Sequence, residues 1–104
     1  MKLNKEQKQE LKVLQEMAND AGVKGIYNEY TGVTITWYRN FSHSNMVTVS
    51  ASFFSPNDDG RIRVKTGKYL ALSKLFNGES IQLPLGIYSD TLVSYKLAKL
   101  FEFN

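Results

Sequence analysis

"GIYNEYTGVTITWYR", residues 25–39, carries the change of period that decides the fold. Val33, Ile35 and Trp37 alternate with Thr34, Thr36 and Tyr38, and a period of two sends successive side chains to opposite sides of a strand. The polar "NEYTG" (28–32) between the two apolar runs is a turn, so the segment is a hairpin. A second polar connection, "NFSHSN" (40–45), leads into "MVTVSASFF" (46–54), where Val47, Val49, Ala51 and Phe53 resume the alternation. Consecutive antiparallel strands follow.

Upstream the period is helical. Asn4 and Gln7 have the spacing of a capping box, in which each side chain serves the other's backbone N–H. Leu11, Leu14 and Ala18, flanked by Val13, Met17 and Ala21, recur at three and four, and Gly22 suits a left-handed cap. Downstream, "SPNDDG" (55–60) is a turn signal. "RIRVK" (61–65) then reads as a fourth strand or an extended arm. Thr66 can cap a short helix over about 67–76 with Tyr69, Leu72, Leu75 and Phe76 as its buried side. "ESIQLPLG" (79–86) is a brief extended segment ending at Pro84. A last helix starts at Ser89 or Asp90 and runs to about Phe101, with Leu92, Val93, Leu97, Leu100 and Phe101 on adjacent turns.

The expected fold class is α+β: one compact domain over 1–104, an antiparallel sheet of three to four strands with an N-terminal, a short middle and a C-terminal helix packed on it. The alternate strand positions are Thr, Ser and Tyr, which puts the helices on one face and leaves the other to solvent. Trp37, Val49, Leu14 and Leu97 are expected to share a single core.

Composition bounds the chemistry. Apolar residues make up 42% and charged residues 22% of 104, ordinary usage for a folded domain of one core. There is no cysteine, so disulfides, thiolate nucleophiles and sulfur-based metal sites are excluded. With no signal-peptide core at the start and no long apolar run, the expected location is the cytoplasm. The net charge of +3 is unevenly spread: residues 1–60 hold six Lys/Arg against seven Asp/Glu, whereas 61–104 hold seven against three. Arg61, Arg63, Lys65, Lys68 and Lys74 fall in a run free of acids, able to attract phosphates or an acidic protein surface.

"GRIRVKTGKY" (60–69) fails as a phosphate loop: six residues rather than four separate Gly60 from Gly67, and Tyr69 stands where a small hydroxyl must reach magnesium. His43, the sole histidine, sits in a polar connection without a nucleophile motif nearby. Asp58 and Asp59 lack the spaced oxygen ligands of a calcium loop. No catalytic set, metal site or cofactor is indicated, and the expectation is a protein that is not an enzyme. If "RIRVK" is a strand, Arg61, Arg63 and Lys65 share one face, with Lys68 starting the next helix. Tyr27, Tyr30 and Tyr38 are the candidate aromatic contacts, since surface tyrosines beside arginine are what interfaces favour. The plain alternative is that these cations only keep an edge strand soluble.

In "VTVSASFFSPNDDGRIRVKTGKYLALSKL" (47–75), a strand leads into a turn, basic residues and a helix start through Ser55, Pro56, Asp58, Arg63, Lys65, Gly67, Ala71 and Leu72. This pattern resembles that of small uncharacterised accessory proteins of bacterial viruses. The resemblance implies stoichiometric binding to a host enzyme or defence component and transfers no active-site residue. The leading expectation is therefore an inhibitor-like binding protein with a host protein as partner and no membrane. Nucleic-acid binding by the 61–74 face and self-assembly into a homo-oligomer are the alternatives.

Overall fold

A computed structural model of the chain describes residues 2–40, 45–53 and 60–101, and of residues 60–63 the backbone only. Helix α1 (Lys5–Ala21) is followed by β1 (Lys24–Asn28), β2 (Val33–Arg39), β3 (Val47–Phe53), α2 (Gly60–Phe76), β4 (Ile81–Leu83) and α3 (Asp90–Leu100). The four strands form one antiparallel sheet in the order β1-β2-β3-β4, so every pairing is between chain neighbours. The α+β expectation holds.

Local chemistry sets the element ends. Asn4 accepts from the Gln7 backbone N–H at 2.8 Å while Gln7 Oε1 accepts from Asn4 N–H at 3.0 Å, the reciprocal box read from the sequence. Gly22 ends α1 at φ 70°, and Ser89 caps α3. In the β1–β2 turn, Asn28 Oδ1 accepts from the backbone N–H groups of Tyr30 and Thr31, and Gly32 takes φ 72°.

The strands place Val33, Ile35, Trp37, Val47 and Val49 on one face of the sheet, where Val93 and Leu97 of α3 close a core of fully buried side chains. Arg39 fixes the approach to α3. Its Nε donates to Asp90 Oδ1 at 2.9 Å, and its Nη atoms donate to the carbonyls of Gly86 and Tyr88. Lys24 lies 3.4 Å from the other Asp90 oxygen. The Asp90 carboxyl is held below the usual carboxylate range, first by the hydrogen bond from Arg39 and then by Lys24.

The opposite face overturns the expectation that helices cover one side only. Thr34, Thr36, Thr48, Ser50 and Ser52 are all buried, because α2 lies on them. Three of these hydroxyls are bonded within the interface: Thr36 Oγ1 lies 2.8 Å from Ser50 Oγ, Ser50 donates to the Ala71 carbonyl at 2.6 Å, and Ser52 donates to the Gly67 carbonyl at 2.9 Å. Helix carbonyls have a second lone pair to offer once their in-helix bond is made. The approach is close enough that a Cβ on Gly67 would strike Thr34 Oγ1, so any side chain there has to displace Thr34. Ala71, one turn on, is fully buried.

Three further expectations are corrected. "RIRVK" is neither strand nor arm: it forms the first turns of α2, which begins at Gly60, and Thr66 is buried within the helix instead of capping it. The fourth strand is β4. The core is not single, for Leu14 packs with Leu3, Leu11, Ala18 and Leu72 between α1 and α2, on the far side of the sheet from Trp37, Val49 and Leu97. On α3, Leu92 and Leu100 face outward.

Candidate binding cleft beside the basic helix

Helix α2 lies chiefly over β2 and β3. Over β1 the covering layer opens into a cleft of about 510 Å³, walled by the end of α1, by β1 and β2, and by α2. Its walls are largely apolar, including Ala18, Val23, Val64 and Leu72, with Gln15, Asn19 and Thr36 as polar points. Among the described residues no acidic one lines it. Lys24 borders the cleft, but its ammonium is committed to Asp90, and alternation carries its side chain toward Trp37 on the other face. Among the described side chains, Lys68, exposed on α2, is the cation that faces the cleft itself.

Of the residues singled out by sequence, the fold brings Tyr27 and Lys68 together at this cleft. Tyr27 is half-buried, and its hydroxyl is buried without a protein partner, as is Thr34 Oγ1 directly opposite it in the β1–β2 register. Tyr30 is 88% exposed at the tip of the hairpin, away from the others. Tyr38 is half-buried near the far end of β2, opposite Thr48. Lys65 is exposed on α2. Arg61 and Arg63 lie in the first turn of α2, their side chains outside the described residues.

The shared strand face expected for Arg61, Arg63 and Lys65 does not exist. In a helix, positions 61 and 63 are separated by roughly 200° around the axis, whereas 61, 65 and 68 recur at four and three. His43, Ser55, Pro56, Asp58 and Asp59 lie outside the described residues. Sequence reasoning missed Gly25, Gln15, Asn19 and Thr36 as cleft residues. Gly25 carried the one readable signal, a glycine inside a short strand.

Among the described residues no group of three or more His, Cys, Asp or Glu is placed to hold a metal ion, and no helix is long and apolar enough to cross a membrane. Comparison with protein-family models, with curated proteins and with solved structures returns no match.

Proposed function

We propose that the protein is a small non-enzymatic binding protein, a phage-type accessory or counter-defence factor acting in the host cytoplasm, that inhibits or redirects a host protein through the basic side of α2. The observation that carries the reading is the charge of this helix: Arg61, Arg63, Lys65, Lys68 and Lys74 with no acidic residue over Gly60–Phe76. Two of these cations occupy the first turn, where the helix dipole disfavours positive charge by roughly 0.3–1 kcal/mol each. Helix stability alone would select acids there. An acidic partner surface removes the penalty on binding and speeds encounter.

Protein is favoured over nucleic acid because the tyrosines form no stacking platform: Tyr27 is packed at the cleft wall, Tyr30 stands at the turn tip and Tyr38 at the other end of the hairpin. The test reverses Arg61, Arg63 and Lys65 to Glu together. Circular dichroism of the variant is expected to match the parent, since acids suit the first turn. A host protein retained stoichiometrically by the parent after nuclease treatment is expected to be lost by the variant. Loss of every partner on nuclease treatment moves the reading to nucleic acid. Undiminished retention by the folded variant contradicts it.

A further inference from the structure

Two glycines on the hydroxyl side of the sheet have opposite surroundings. Gly67 is explained by packing, since any side chain there strikes Thr34. Gly25 is not: its φ is not positive, and a Cβ built on it would meet a single atom, the Ile35 carbonyl oxygen, at 3.9 Å. A glycine within a strand sacrifices β-propensity and backbone entropy. Where neither conformation nor packing requires it, close approach of another molecule is the remaining structural reason. Gly25 pairs with Thr36, whose hydroxyl faces α2, so the space in front of Gly25 is the cleft.

From this geometry we propose that the cleft between α1, β1 and α2 is a binding site for a small amphiphilic anion, an apolar body carrying a carboxylate, sulfonate or phosphate head. Its volume of about 510 Å³ falls in the range of small-ligand sites, which run from about 300 to 1,000 Å³. Ala18, Val23, Val64 and Leu72 receive the apolar body. Lys68 pairs with the head, and no acidic side chain stands among the described lining residues to oppose it. The flat backbone at Gly25 lets the body lie against β1. The site shares Lys68 with the partner reading for α2 but does not rest on that reading, and its test through Gly25→Val leaves Arg61, Arg63 and Lys65 in place, so the two can fail separately.

The test uses calorimetric titration with decanoate, its neutral analogue decan-1-ol, and 1-anilinonaphthalene-8-sulfonate as an aromatic anion. Three proteins are compared: the parent, Gly25→Val and Lys68→Gln. The parent is expected to bind both anions saturably, with decanol weaker by about tenfold or more, the loss of one charge-assisted contact. Gly25→Val puts a branched side chain on the cleft floor, where a Cβ meets nothing nearer than 3.9 Å, and is expected to abolish binding while its melting temperature stays level or rises. Lys68→Gln is expected to bind decanoate and decanol alike. Failure of both anions to bind the parent overturns the proposal, as does anion binding by Gly25→Val equal to that of the parent.

Discussion

The two faces of this sheet are built from the same strands, residue by residue in alternation, yet they hold their helices by different physics. Under α3 the contact is apolar: Val33, Ile35, Trp37, Val47 and Val49 meet Val93 and Leu97, and the cohesion scales with area removed from water. Under α2 the sheet offers Thr34, Thr36, Ser50 and Ser52, which bury little apolar area. Cohesion there comes from hydroxyls donating to the carbonyls of Gly67 and Ala71 and from the close approach that small residues permit. Such contacts are directional, each worth only about 0.5–1.5 kcal/mol net, and costlier when one partner alone is removed. A face held in this way can be covered over β2 and β3 and left open over β1, because no continuous apolar surface demands burial. The cleft is the consequence.

The largest separation between the faces is expected from Leu97→Ala. A fully buried leucine in a packed apolar layer loses about 2–5 kcal/mol on truncation, and urea unfolding measures it. A loss below 1 kcal/mol would show that the α3 layer is not packed as described.

Smaller effects belong to the hydroxyl face. Ser50→Ala removes the shorter bond to the Ala71 carbonyl and the partner of Thr36, whose hydroxyl keeps the 3.3 Å bond to the same carbonyl, at a cost of about 0.5–1.5 kcal/mol for the lost bond. Thr36→Val combined with Ser50→Ala is expected to cost less than the two single changes added, because each single change already breaks the bond that the two hydroxyls share. Additivity in a double-mutant cycle would mean that the two hydroxyls do not act as a unit.

The smallest effect concerns the clamp between β2 and α3. Asp90 titrates below its ordinary value in the folded protein because Arg39 and Lys24 stabilise the carboxylate. A lowered folded value means stability that is present above the unfolded value and is lost as pH falls through the folded one. Thermal melting of Asp90→Asn is therefore expected to depend less on pH than the parent through the acid range. Equal slopes would remove the clamp from the account. The carboxylate is exposed, so the difference is also expected to shrink with added salt.

Much of this architecture was legible in the sequence. Asn4, Gln7 and Gly22 bracket α1 as read, the period-two run fixes the β1–β2 hairpin, and Ser89 opens α3. What misled was polarity taken as exposure. Thr34, Thr36, Ser50 and Ser52 look like a solvent face, but each hydroxyl is small enough to be buried when a helix backbone comes near. The matching signal was Gly67 and Ala71, small residues one turn apart. "RIRVK" misled for a related reason: its β-like alternation was overridden by the continuous helix that covers the hydroxyl face. Of the candidate site, Tyr27 and Lys68 were legible as types suited to binding. Their convergence was not, since it depends on α2 lying over β2 and β3 and not over β1.

The most direct measurement of this account compares Gly67→Ala with Gly25→Ala by thermal and urea unfolding. Glycine to alanine within a helix ordinarily stabilises by about 1 kcal/mol, so intrinsic propensity predicts a gain at position 67. Closure of the hydroxyl face predicts the reverse, a net loss of about 1–3 kcal/mol as the new methyl group displaces Thr34. At position 25 the open cleft predicts no loss and a gain of up to about 1 kcal/mol. A stabilised Gly67→Ala, or a Gly25→Ala destabilised as much as Gly67→Ala, would contradict a sheet closed by α2 over its centre and open over β1.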